Sequence, residues 1–430
     1  MKFSICNLGC KVNAYESEAV ASELEKRGWE RVSFDEPSDA VVIFTCAVTN
    51  MAAQKSRKML HRAKRSNPEA VSAVVGCYAQ LDDGLLNEAE IIVGTAHKKE
   101  IPDYLEQYLK DRQPVRVLDQ LEKQEFEALF SDQYENHARA YLKIQDGCNQ
   151  FCSYCVIPYA RGRERSMLPD TAVREAGRIA ENYKEIVLTG IHTGRYGREY
   201  HVTLAQLMER MLKEVPALER LRISSIEATE LTDEMIDLIA SEPRIARHLH
   251  IPLQSGSDGV LKRMHRPYST EWYLNKIEEI RRRIPDISIS TDLIVGFPGE
   301  TEEEFEETYR FLKKCRFSFL HVFPYSARQG TPAAEMPCQI DPKIKKERTR
   351  KCTALSAELY DAYQSTWTGR EADVVLEQED GDYTTGHTSE YIPVKVKGHL
   401  EHGKMVHVHL TNYENHQMYG EESVIGNETE

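Results

Sequence analysis

Cys148, Cys152 and Cys155 stand together in Asp-Gly-Cys-Asn-Gln-Phe-Cys-Ser-Tyr-Cys, directly after an apolar segment, Ala140 to Ile144, that reads as a strand. Three thiolates this close can hold three irons of a 4Fe-4S cube and leave the fourth open, whereas an electron carrier normally uses four cysteines. A zinc knuckle is the alternative, but zinc wants four ligands and no fourth Cys or His lies nearby. Ligands of open parallel sheets bind at the carboxyl ends of strands, which is where this loop falls.

The surrounding pattern agrees with an α/β multidomain chain. At 430 residues two to four units are expected. Residues 1–112 alternate apolar strands (Phe3 to Cys6, Ala40 to Thr45, Ala73 to Val75, Glu90 to Val93) with helical stretches near Glu16 to Arg27, Ala52 to Arg65 and Ile101 to Leu109, the pattern of a doubly wound parallel sheet. The charged stretch 113–137 reads as a linker. Residues 138–366 hold six further strand segments, beginning at Ala140, Glu185, Leu221, His248, Ile287 and Phe319, with helical patterns between most of them and one long helix from Pro342 to about Thr366. A partial (β/α)6 barrel is expected there. Short alternating segments at Ala372 to Glu377, Ile392 to Val396 and Val406 to Leu410 make 367–430 a small all-β unit.

Ten cysteines without a secretory leader point to a reducing, cytoplasmic setting in which thiols act as ligands. No run of about 18 apolar residues is present, so a soluble chain without a membrane span is expected. A net charge of -14 argues against a general polyanion binder, so any nucleic-acid contact has to use local basic patches.

A second set of cysteines shares one local setting. Cys10 follows the first strand, Cys46 ends the next, and Cys77 ends the third in Val-Gly-Cys-Tyr-Ala-Gln. In a parallel sheet these three ends lie on one edge, so the thiols can converge on a second 4Fe-4S cluster. Three buried cysteines of the kind common in sheets are the alternative, which the repeated arrangement disfavours. Cys6, Cys315, Cys338 and Cys352 show no such pattern and read as structural thiols.

The spacing of Cys148, Cys152 and Cys155 resembles the signature of radical S-adenosylmethionine (SAM) enzymes. In these the open iron chelates the amino and carboxylate groups of SAM, and the aromatic before the last Cys, here Tyr154, lies near its adenine. On that reading Thr189, Gly190, Ser225, Glu227, Gln254 and Ser255 are strand-end candidates for SAM. Ile294 and Gly296 resemble the segment that packs on adenine, and Arg266 could reach the SAM carboxylate. The alternative makes Glu227 and Arg266 surface charges and Gly-Phe-Pro-Gly a simple turn.

Taken together, the two triads and the terminal β unit resemble the methylthiotransferase family over essentially the whole chain. Gly-Cys-Lys-Val-Asn at 9–13 and Thr-Cys-Ala-Val-Thr at 45–49 are most similar to its branch acting on N6-threonylcarbamoyladenosine at tRNA position 37. The resemblance implies a two-stage reaction at C2 of that adenine. One SAM methylates a sulfur on the auxiliary cluster and a second, cleaved with an electron, supplies the radical. It also implies an anticodon stem-loop as partner, a low-potential electron donor, a sulfur source and a C-terminal TRAM domain that holds RNA.

Charge departs from that picture at the C-terminus, where residues 367–430 carry four Lys and Arg against thirteen Asp and Glu. The better RNA candidates are Lys55, Arg57, Lys58, Arg62, Lys64 and Arg65 just after Cys46. A second basic stretch holds Lys343, Lys345, Lys346, Arg348, Arg350 and Lys351. Rival readings are a methylthiotransferase for isopentenyladenosine or for an aspartate of a ribosomal protein, and a non-enzymatic iron-sulfur redox protein.

Overall fold

Ala-Val-Val-Ile-Phe-Thr and Val-Ser-Ala-Val-Val-Gly are buried along their whole length. Strands covered by helices on both faces read as continuous apolar runs rather than alternations. In the computed structural model, which describes residues 1–423 except 82, 83, 85, 119, 122, 123 and 132–137, these runs are β3 (Ala40–Thr45) and β4 (Val71–Gly76). They are central in a parallel sheet ordered β2-β1-β3-β4-β5-β6, with β1 (Lys2–Asn7), β2 (Glu30–Arg31), β5 (Ile91–Val93) and β6 (Val115–Val117).

The stretch expected as a linker therefore supplies an edge strand, paired in parallel with β5. Beyond it Leu129 is buried, and its carbonyl accepts from the Tyr15 hydroxyl. So short an edge strand, with an exposed arginine at its centre, leaves no apolar period to read. Positions 119, 122, 123 and 132–137 of that stretch, like 424–430 of the terminal unit, lie outside the described residues.

β7 (Ala140–Lys143) opens the second unit. A small antiparallel pair, β8 (Gln145–Asp146) and β9 (Arg165–Ser166), frames the Cys148 loop. Then follow β10 (Glu185–Thr189), β11 (Arg220–Ile223), β12 (His248–His250), β13 (Ser288–Val295) and β14 (Phe319–Pro324). The parallel sheets β11-β10-β7 and β12-β13-β14 meet through a parallel bridge, Leu221 to Ile245. The result is a partial six-stranded barrel whose two edges are β7 and β14. Amphipathic helices, among them Pro169–Ala180, Leu204–Glu214 and Thr270–Arg283, pack their apolar faces on its outside in one large core.

The helix Pro342–Ser365 runs along β14 into a closed five-stranded barrel, ordered β15-β16-β17-β19-β18. Its strands are β15 (Glu371–Asp380), β16 (Tyr383–Thr388), β17 (Pro393–Lys397), β18 (Met405–Glu414) and β19 (Gln417–Glu422). Sequence patterning misses β16 and β19, because Tyr-Thr-Thr-Gly-His-Thr and Gln-Met-Tyr-Gly-Glu-Glu carry almost no aliphatic side chains.

This small barrel docks on the large one through buried charge. Glu185 accepts from Arg222 at 2.6 Å and from Arg220 at 3.2 Å. The same guanidiniums donate to the carbonyls of Asp373, Thr388 and Ser389 in the small barrel, and Arg139 pairs with Glu377 at 2.9 Å. Among the described residues, no helix is long and apolar enough to cross a membrane.

Candidate functional site

Gly147, with a φ of 71°, makes the turn into the Cys148 loop, where a Cβ would stand 1.9 Å from the Arg163 carbonyl oxygen. Only glycine fits such a left-handed, close-packed position. The Cys148 amide then donates to Gly162 and the Cys155 amide to Cys152, each at 3.0 Å, which folds the loop so that its three thiols lie in mutual electrostatic range. Burial pushes the Cys155 thiol up to about 12 and raises Cys152 as well, although the Arg266 guanidinium, 3.5 Å from the Cys152 sulfur, opposes the latter.

The other triad is assembled by parallel topology. β1, β3 and β4 are neighbours, with Asn7 beside Phe44 and Thr45 beside Gly76 in register, so the residues after their carboxyl ends share one edge. Cys10 caps the helix Lys11–Lys26, Cys46 follows β3, and Cys77 opens the helix Cys77–Gln80 after Gly76, whose φ of 102° suits glycine. The three thiols act on one another electrostatically. Burial pushes Cys77 up to about 11, against the opposing pull of Arg161.

A cavity of about 870 Å³ joins the two sets, since Cys10 lines it together with Cys148, Cys152 and Cys155. Of the SAM candidates, Tyr154, Thr189, Gly190, Ser225, Glu227, Gln254 and Arg266 line this cavity. Glu227 and Arg266 are not stray surface charges. Arg266 is 8% exposed, forms an ion pair with Glu227 and donates to the Tyr268 hydroxyl. Three candidates lie elsewhere. Ser255 is fully buried against Thr308, Ile294 packs beside Tyr154 in a separate apolar cluster, and Gly296 is covered by the Lys345 side chain while its amide donates to Glu300.

Several lining residues escaped sequence reasoning. His192 places Nδ1 3.5 Å from the Cys148 sulfur and Nε2 3.5 Å from Glu230. Inside the large barrel, His248 and His250 both contact the Ser290 hydroxyl at 3.0 Å, and burial together with Arg222 keeps His248 well below its ordinary pKa. The alternation His-Leu-His in β12 was the available signal for this polar lumen. Tyr391 of the small barrel reaches the cavity in a left-handed conformation, φ 68°, stacked on His248 at 5.0 Å between the guanidiniums of Arg139 and Arg222. Burial raises its hydroxyl, but Arg139, Lys11 and Arg222 outweigh that and lower it overall.

The six basic candidates for RNA share the helix Asn50–Ser66, but not all are available. Arg57 donates to the Tyr78 hydroxyl, Arg62 pairs with Asp35 at 2.6 Å and Lys64 pairs with Glu90. Lys55, Lys58 and Arg65 are exposed and make no ion pair among the described residues. In the second basic stretch Arg348 is buried on Glu300 at 2.6 Å.

The donor chemistry fits iron-sulfur clusters. Burial disfavours Cys46, Cys77, Cys152 and Cys155 as thiolates, and a cationic centre beside them would offset that. Among the described residues, no group of His, Cys, Asp and Glu is close enough to bind a single metal ion.

Comparison with known proteins adds to this geometry. Residues 142–312 match the family model "Radical SAM superfamily", and residues 2–94 match "Uncharacterized protein family UPF0004". The chain is 42% identical over 415 residues to threonylcarbamoyladenosine tRNA methylthiotransferase MtaB of Bacillus subtilis (strain 168), covering 94% of this chain and 92% of the relative. It is 34% identical to tRNA-2-methylthio-N(6)-dimethylallyladenosine synthase of Clostridium botulinum (strain Okra / Type B1), over 98% and 97% of the two chains. Among solved structures it resembles the radical SAM methyltransferase TsrM from Kitasatospora setae, solved with cobalamin and a 4Fe-4S cluster bound. The TM-score is 0.57 at 14% identity over 77% of each chain, a likeness of fold alone.

Proposed function

This chain belongs to the methylthiotransferase family of radical SAM enzymes, and from that premise we propose that it converts N6-threonylcarbamoyladenosine at position 37 of tRNA to its 2-methylthio derivative. The observation that carries the reading is the shared cavity, which puts Cys10 of one triad and the whole of the other on a single reaction space. The substrate follows the name of the Bacillus relative, the more similar of the two compared.

Cys148, Cys152 and Cys155 would hold the 4Fe-4S cluster that binds SAM, and Cys10, Cys46 and Cys77 would hold an auxiliary cluster as the source of sulfur. When bound, these groups supply reductive cleavage of SAM and the sulfur that is transferred. The chain supplies position. Tyr154, Thr189, Gly190, Ser225, Glu227 and Gln254 form a polar surface for SAM beside the first triad of thiols. The ion pair between Arg266 and Glu227 fixes the carboxylate there. A base from a single-stranded anticodon loop can be splayed into such a cavity without melting a duplex. Phe319 and Phe323, exposed along its lining, offer faces on which bases stack. A low-potential electron donor and a sulfur source complete the reaction, which a tRNA substrate places in the cytoplasm.

The test is an anaerobic reaction of cluster-reconstituted protein with SAM, reductant, sulfide and an anticodon stem-loop bearing threonylcarbamoyladenosine, read by nucleoside mass spectrometry. A methylthio product is expected, lost in Cys148→Ala together with 5'-deoxyadenosine, and lost separately in Cys46→Ala. Modification of an isopentenyladenosine loop instead would move the substrate to that named for the Clostridium relative.

A further inference from the structure

We propose that Lys11 is the receptor for the substrate's carboxylate, the one group of the threonylcarbamoyl substituent that carries a full negative charge; the inference rests on the methylthiotransferase reading above. Lys11 follows Cys10 directly and lines the same cavity, exposed to it. It stands within electrostatic range of Tyr391, Arg139 and Arg222, where the small barrel meets the edge of the large one.

The charges around the cavity single this residue out. Its Lys and Arg side chains are Lys11, Arg222 and Arg266. Arg222 is paired with Glu185 and Arg266 with Glu227, whereas Lys11 makes no hydrogen bond or ion pair among the described residues. Lys11 is exposed on the cavity wall, so its ammonium can take an anion from the cavity, and Arg139 and Arg222 nearby favour a negative charge there. The helix Lys11–Lys26 adds to the same field, since it starts at this residue with no acidic side chain in its first turn.

The neighbours suit a flat base with a charged tail better than a phosphate of the RNA backbone. Tyr391 presents a fixed ring, stacked on His248 and held by two guanidiniums, in a left-handed backbone conformation that non-glycine residues seldom adopt. His248 is kept neutral by burial and Arg222, so it does not compete for the anion. The position adjoining Cys10 lies on the side from which sulfur is proposed to come, where a base rather than backbone has to be.

Binding of three anticodon stem-loops to the cluster-reconstituted, full-length protein with SAM tests this. One loop bears threonylcarbamoyladenosine, one its carboxyl methyl ester, and one unmodified adenosine. A charge-assisted hydrogen bond predicts that wild type binds the acid about 10- to 100-fold tighter than the ester. Lys11→Met should bind acid and ester alike and Lys11→Arg should keep the preference, in preparations whose iron and sulfide contents match wild type. Equal binding of acid and ester by wild type would overturn the proposal without needing any variant. So would a Lys11→Met defect of the same size on all three loops, which would make Lys11 a phosphate contact. Failure of wild type to methylthiolate the acid-bearing loop would instead remove the functional reading itself, whereas equal conversion of acid and ester would leave it standing and remove only Lys11.

Discussion

The Nε of Arg161 donates to the sulfur of Cys77 across 3.1 Å. Arg161 closes the helix Ile157–Arg161, just beyond Cys155, while Cys77 opens the helix that follows β4 of the N-terminal sheet. The same buried guanidinium reaches Asn13 at 2.9 Å, Glu16 at 3.0 Å and Asp146 at 3.1 Å. One cation thus ties Cys77, Asn13 and Glu16 of the first unit to Asp146, two residues before Cys148, and it offsets part of the charge that deprotonated Cys77 would bring into a dry interior.

Replacing Arg161 with Gln is expected to lower stability by about 3–5 kcal/mol, the usual consequence of leaving buried carboxylates without their partner. Urea unfolding measures it. Iron bound after reconstitution should fall towards the content of a single cluster, because Cys77 loses its nearest cation. An unfolding midpoint and an iron content both equal to wild type would contradict this role.

Glu185 predicts a pH dependence. Burial alone would raise its carboxyl, but Arg222 and Arg220 overcome that and hold it down to about 2, against an ordinary 4.5. A depressed carboxyl contributes stability that is complete above its unfolded value and is lost as pH falls through the folded one. Wild type should therefore exceed Glu185→Gln by about 3–5 kcal/mol at pH 7, and the gap should close as pH falls from about 5 towards 2. Urea titrations of both proteins across that range, followed by a probe in the small barrel, check the sign as well as the size.

Reversing charge at Lys55, Lys58 and Arg65 should weaken tRNA binding and flatten its dependence on salt. Each phosphate contact contributes about 0.7–0.9 to the slope of log affinity against log salt, so loss of three should reduce it by roughly 2–3. The same reversal at Arg62 and Lys64 should change the slope less, since these two are already held by Asp35 and Glu90. Filter binding over a salt series separates the cases, and an unchanged slope in the triple variant would move the RNA contact off this helix.

Much of the site was legible because it depends on period and topology. Strand-then-cysteine, met three times, needs only a parallel sheet to bring Cys10, Cys46 and Cys77 to one edge, and that sheet is written in apolar runs such as Ala40–Thr45. What escaped depends on partners far away in sequence. The first helix was expected at Glu16 but begins at Lys11, because Asn13, Glu16 and Ser17 on its buried face break the apolar period. Glu16 is buried against Lys143 and Arg161 and Asn13 against Arg161, while the Ser17 hydroxyl donates to the Ala14 carbonyl. Arg220 and Arg222 read as ordinary polar alternation in a strand, and nothing local announces that Glu185 and four backbone carbonyls await them. The Ser255 expectation rested on a strand end, and those for Ile294 and Gly296 on likeness to the adenine-packing segment of radical SAM enzymes. A strand end fixes where the backbone leaves the sheet but not which way the next side chain turns.

The cavity wall takes Cys10 and Lys11 from the first unit, most of its surface from the barrel, and Tyr391 from a loop near the end of the chain. The reaction space is therefore walled only once the small barrel has folded and docked. A chain still emerging from the ribosome has both cysteine triads but lacks the ring that Arg139 and Arg222 hold in place. A damaging radical is best generated only where walls already surround it, and this architecture makes docking of the small barrel the condition for an enclosed chamber.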